Sequence, residues 1–298
     1  MKRALLKTDL LLFTASVIWG FAFVAQRKGM EFIGPWSFNA ARFSLGSLFI
    51  LLLLLKREQS FCKIFSGLPS FGWLITGFAL FIASSLQQCG IVFTTSGKAG
   101  FITGLYVVIV PLLGIFIRHK TNIATWIGAF LSAAGLYLLT INSDFKLITG
   151  DLLVLGSAFF WAIHVLLVDY NVKKSDYLLL AFYQYSLTAI LSLGIALFSE
   201  RISSGAMLSA LPTIGYAGIF SVGVAFTLQA RAQRDAHPAH AAIILSLEAV
   251  VALLGGWMIL NESLSGRALL GCSLMLTGMI VSQIYLFKTG KRPAASVK

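Results

Sequence analysis

Ten long apolar stretches divide the chain, at 9–30, 37–55, 71–94, 97–117, 123–140, 151–168, 177–198, 211–230, 239–260 and 267–287. Each is close to the roughly 20 residues a helix needs to cross about 30 Å of hydrocarbon. They are continuously apolar, with no alternation of the kind a membrane barrel strand shows. The pattern predicts helices, because lipid offers backbone polar groups no partner outside a helix. Pro35, Pro69, Pro212 and Pro238 fall between these stretches or at their starts, where a missing N–H is tolerated. Pro111 lies inside the fourth stretch, so a kink is expected there and not at its counterpart Leu253.

Composition sharpens this picture. Hydrophobic residues make up 58% of the 298 and charged residues 11%, against about 25% charged in a soluble domain. So little charge cannot cover a water-soluble globule. The formal net charge of +12 sits in connectors and at the ends rather than on a patch, which argues against nucleic acid as a partner. Of the 23 Lys and Arg, 16 fall on the N-terminal side and six on the other; the remaining one, Arg42, lies inside the second stretch. That bias places both termini in the cytoplasm, with Ser60 inside and Ser143 outside. The start MKRALLKTD reads as the flank of a retained first helix and not as a cleaved signal. Cys62, Cys89 and Cys272 have no paired spacing, so neither a disulfide framework nor a metal site is expected.

The chain repeats itself. A shift of 142 residues carries Asp9 onto Asp151, Trp19 onto Trp161, and Leu86-Gln87 onto Leu228-Gln229. The same shift lays AGFITGLYVVIVPLLG over AAIILSLEAVVALLGG, and Gly128 meets Gly271 after a one-residue slip. The halves are 1–142 and 143–298, five helices each. Five is odd, so the second half enters the membrane the other way up. Inverted repeats are a common plan of secondary transporters, with the site near the midplane between them.

Polar residues inside the stretches are the candidate site. Glu248 stands in an otherwise uncharged run. A carboxyl there faces a cavity or a partner, as a proton carrier, a cation-binding group or a tie between helices. Its repeat mate is Tyr106. Arg42 either binds a substrate carboxylate through its fork of donors or reaches for headgroups. Trp19 and Trp161 either wall a pocket or pack in the core. His164, one turn from Trp161, either relays protons or is a satisfied core histidine. Asn39, Gln87, Gln184 and Gln229 offer amides that can orient a polar ligand. Small-residue steps such as Gly100–Gly104 and Gly128–Ser132 let helices approach closely. No phosphate loop or zinc-protease motif is present, so no cofactor is expected.

TASVIWGFAFVAQRKG from Thr14, its second copy GSAFFWAIHVLLVDY from Gly156, and ARFSLGSLFILLLLL from Ala41 resemble the helix signatures of the drug/metabolite transporter superfamily, EamA type. LEAVVALLGGWMILNESLSGRALLGCSLMLTGMIV from Leu247 is similar to the family's closing stretch, with its turn at Asn261-Glu262. The matching turn of the first half reads His119-Lys120 and departs from that pattern. The resemblance implies a ten-helix, multi-pass protein of the bacterial inner membrane, moving small polar metabolites, amino acids among them, mostly outward. The expectation is therefore a secondary transporter working by alternating access, with proton coupling or facilitated diffusion both open, as a monomer or homodimer. A membrane-embedded enzyme or a scaffold without flux is the alternative. An enzyme would need a clustered nucleophile, base or metal set, and the polar residues here are scattered.

Overall fold

A computed structural model describes residues 2–58, 70–117, 121–140, 148–263 and 265–289. Ser60, Ser143 and the His119-Lys120 turn lie outside the described residues. The described elements are helical throughout. The first half holds α1 (Lys2–Gly29), α2 (Pro35–Glu58), α3 (Phe71–Ile91), α4 (Ser96–Gly104), α5 (Tyr106–Phe116) and α6 (Ile123–Thr140). The second holds α7 (Thr149–Val172), α8 (Tyr177–Ser199) and α9 (Ser204–Gly215), then a π-helical segment, Tyr216–Ala225, which leads into α10 (Phe226–Gln233). α11 (Pro238–Leu245), α12 (Glu248–Leu260) and α13 (Gly266–Thr289) complete it.

Among the described residues, eight helical stretches are long and apolar enough to cross a membrane. Two shorter apolar helices, Ile123–Gly135 and Leu269–Val281, stand where the fifth and tenth stretches were expected. Large apolar side chains point outward from many helices, with Phe198 95% and Phe116 84% exposed. Such surface is tolerable in lipid and not in water. The chain is an all-α, multi-pass membrane protein.

Helix ends are fixed by local chemistry. The Asp176 carboxylate accepts from the backbone of Leu178 and Leu179 at 2.9 and 3.1 Å and starts α8. Thr95 caps α4 through the Lys98 N–H. Asn261, in the left-handed region at φ 55°, ends α12. Two caps reach across the halves. Glu200 accepts from Trp36 and Ser37 at the start of α2, and Glu262 accepts from Ser96 and Gly97 at the start of α4.

These contacts sort the helix ends into two faces. The near face holds the start of α1 together with the α7–α8 turn, where Arg57 meets Asp176. The far face holds the ends of α1 and α3, the start of α7 and the Glu200 and Glu262 caps.

Leu105 separates α4 from α5, and Ser246 and Leu247 separate α11 from α12. The two interruptions share two bonds under the 142-residue shift. Leu105 N bonds Ile102 O as Leu247 N bonds Ile244 O, both at 3.2 Å, and Val108 N bonds Leu105 O as Val250 N bonds Leu247 O, both at 3.0 Å. Each is a turn tightened to i→i+3 bonding. Pro111, where a kink was expected, lies within α5, and the stretch carrying Leu253 is interrupted at the place matching Leu105.

Candidate functional site

Both interruptions border one central cavity. It takes the indoles of Trp19 and Trp161 from α1 and α7, and Tyr106 and Glu248 from the first positions of α5 and α12. Arg42, Gln87 and Gln229 also line it. Seven of the ten residues singled out in the sequence thus meet in one place, drawn from α1, α2, α3, α5, α7, α10 and α12.

The π-helical segment supplies an eighth partner. Ser221 O closes the π ladder by accepting from Phe226 N and also accepts from Trp19 Nε1 at 3.2 Å. Trp161 Nε1 donates instead to Gln87 Oε1 at 3.1 Å. Phe226 lies between the indoles, with ring centroids 4.6 Å from Trp19 and 5.7 Å from Trp161. The two tryptophans are therefore held as walls by their N–H groups.

Arg42 and Glu248 are the charged residues of the cavity, 3% and 4% exposed. Arg42 Nε donates to Asn39 Oδ1 at 2.9 Å, and its guanidinium lies 4.9 Å from the Phe43 ring centroid. Asn39 is held in turn by Ser84 O at 3.2 Å. Among the described residues no carboxylate pairs with Arg42, and no cation pairs with Glu248. The Tyr106 hydroxyl is electrostatically coupled to the Glu248 carboxyl but makes no hydrogen bond of good geometry. Gln26 Oε1, Thr103 Oγ1 and Gln229 Oε1, all on the cavity wall, are likewise buried without a partner. Buried polar atoms are nearly always satisfied, so these four are free to meet a polar guest, although ten others without a partner lie elsewhere among the described residues.

The remaining three candidates stand back from the cavity. Asn39 positions Arg42. His164 Nε2 lies 2.8 Å from Gln184 Oε1, a buried pair behind Trp161 and Phe226. Gln184 occupies the place that corresponds to Arg42 under the 142-residue shift, so the second half replaces the guanidinium with a neutral amide. Residues related by the 142-residue shift, Trp19 with Trp161 and Gln87 with Gln229, line the cavity, whereas Arg42 has no charged counterpart. Gln26, Thr103, Ser221, Phe23 and Phe226 line the cavity without having been expected there. Gln26 carried a signal, as a lone amide in an apolar run. Ser221 acts through its carbonyl, which no side-chain pattern reveals.

The cavity volume is about 40 Å³, room for a few water centres at roughly 10–15 Å³ each. That volume is too small for a metabolite of several carbons.

The profile of the EamA-like transporter family matches residues 6–141 and again residues 148–283. The chain belongs to the EamA-like transporter family. It is accordingly a transporter of small molecules and not an enzyme, and the resemblance read from the helix signatures holds. An "Uncharacterized transporter" of Archaeoglobus fulgidus is 30% identical over 283 residues, covering 93% of this chain and 85% of its own. The "Uncharacterized transporter YoaV" of Bacillus subtilis is 23% identical, covering 93% and 97%. The "Uncharacterized inner membrane transporter YedA" of Escherichia coli K12 is 24% identical, covering 94% and 90%. A crystal structure with TM-score 0.78 at 18% identity covers 95% of this chain and 99% of that one, which is a likeness of fold.

Proposed function

We propose that this EamA-family chain is a secondary transporter, an exporter, of small zwitterionic metabolites, amino acids among them, across the inner membrane. The observation that carries the reading is the pair of opposite charges in one cavity, Arg42 and Glu248, which are not paired with each other. A buried guanidinium suits a carboxylate through its fork of donors, and a buried carboxyl suits an ammonium. A guest with both groups would satisfy both hosts, and the unpartnered amide and hydroxyl groups would take its remaining polar atoms.

The halves 1–142 and 143–298 are read as inverted five-helix repeats with both termini in the cytoplasm. The double family match, the matched interruptions at Leu105 and Leu247, and the positive-charge bias support this. Rocking of the halves would open the cavity to each side in turn. Glu248 is also suited to carry a coupling proton. The test is counterflow in proteoliposomes, with amino acids compared against their decarboxylated and deaminated analogues. Flux of zwitterions above both mono-ionic series is expected; equal flux of all three, or of none, rejects the reading.

A further inference from the structure

Among the described residues three acid–base contacts join the first and second halves, Arg57–Asp176 and two more that are copies of each other. Lys98 Nζ on α4 is 2.6 Å from Asp151 Oδ2 on α7. His240 Nε2 on α11 is 2.9 Å from Asp9 Oδ1 on α1. A shift of 142 residues turns Asp9 into Asp151 and Lys98 into His240. Each contact therefore joins an acid of one half to a base of the other, with the halves exchanging roles.

They stand at opposite ends of the molecule. Asp9 and His240 belong to the near face, beside the starts of α1 and α11. Lys98 and Asp151 belong to the far face, where Thr94 Oγ1 and Ile148 N also hold the Asp151 carboxylate, at 3.2 and 3.1 Å. The central cavity lies between them, lined by the same helices further along, at Trp19 on α1 and Trp161 on α7. Both contacts are made at once, and the cavity between them is about 40 Å³.

The geometry points to these pairs as the two gates of the translocation step: Asp9–His240 closes the near face and Lys98–Asp151 closes the far face. This rests on the alternating-access reading above. A transporter of that kind needs a closure on each side of its site, never open together. Helices that carry a gate at one end and a cavity wall at the other satisfy this directly. To open one face, an acid on α1 or α7 must leave its base on the opposite half, while the other pair keeps the remaining face sealed. In that cycle the state with both pairs made is the closed intermediate through which the halves pass in either direction. Breaking a buried pair strands a charge, so each opening has a threshold that a bound guest must help to overcome.

The test reads access without any substrate, so it fails independently of the zwitterion reading. Cys62, Cys89 and Cys272 are replaced, and Ser221→Cys on the cavity wall serves as reporter. A membrane-impermeant maleimide is applied to vesicles of each orientation. The parent labels slowly from both sides. Asp151→Asn should raise labelling from the far face alone, on the order of tenfold; Asp9→Asn should do so from the near face alone. Lys98→Gln and His240→Gln, on the other side of each pair, must act on the same face as their partners, which guards against one variant that does not assemble. The swap Lys98→Asp with Asp151→Lys should return far-face labelling toward the parent rate. Labelling raised equally from both sides, unchanged by all four single variants, or not restored by the swap overturns the assignment.

Discussion

Glu200 offers a stability test that the geometry sets up in two independent ways. Its Oε1 accepts from Trp36 N at 2.9 Å and its Oε2 from Ser37 N at 2.8 Å, so one carboxylate from the end of α8 satisfies two otherwise orphaned N–H groups of α2. Glu200→Gln keeps the length but turns one acceptor into a donor that faces an N–H. A hydrogen bond to a charged group contributes about 1.5–3 kcal/mol, and Glu200 is only partly buried, so the cost after screening is about 1–2 kcal/mol. Gly34→Ala reaches the same contact sterically. Its Cβ would lie 2.2 Å from Glu200 Cδ and 2.3 and 2.5 Å from the two oxygens, so the carboxylate must swing away and surrender both bonds. That variant should also cost about 1–2 kcal/mol. Because the lesion is shared, the double variant should be little worse than either single, a coupling of about 1–2 kcal/mol. Thermal unfolding of the parent, both singles and the double in one detergent measures it. Two drops that simply add would show that the tie between α8 and α2 is not what either substitution removes.

Glu248→Gln should weaken binding of ammonium-bearing substrates by roughly tenfold to a hundredfold while the protein still folds; uptake and exchange near the parent values over roughly pH 5.5 to 8 would return Glu248 to a packing role. Asn39→Ala removes the Nε partner of Arg42, so the half-saturation concentration for carboxylate-bearing substrates should rise with melting little changed, and an unaltered concentration dependence refutes the positioning role. Gly135→Ala puts a methyl 2.5 Å from Gly271 O, and Gly278→Ala puts one 2.6 Å from Gly128 O; each should destabilise the α6–α13 crossing by about 1–3 kcal/mol, and parent-like melting of both would show that the crossing has slack.

The sequence was most informative where a residue is costly in lipid. Glu248, Arg42 and the paired tryptophans announced themselves as exceptions in apolar runs, and they meet at the cavity. The 142-residue repeat was legible through Asp9 and Asp151 because acids at the start of an apolar stretch are rare enough to align. Their partners were not, because His240 lies 231 residues from Asp9 and pairs with it only through the fold. The helix interruptions were misplaced for a physical reason. Proline marks a lost N–H, but the chain breaks at Leu105 and Leu247, one residue before Tyr106 and Glu248, where tightened turns bring these side chains to the cavity. Nothing in Ser246-Leu247 signals a break. His164 and Gln184 could each be read alone as a ligand group or as core, whereas the fold pairs His164 Nε2 with Gln184 Oε1 behind the cavity wall.

The aromatic cluster of Trp19, Phe226 and Trp161 beside a cavity of about 40 Å³ has an electrical consequence. A membrane that stores energy as a proton gradient is drained by any protein holding a continuous thread of water. Here the carboxyl of Glu248 and the guanidinium of Arg42 are buried in the cavity wall, beside which such a thread would have to run. Three aromatic faces leave room for only a few waters between them, too few to join one side to the other. In the proposed alternating-access cycle such walls would make the resting protein an insulator in an energised membrane, with charge moving only alongside a guest.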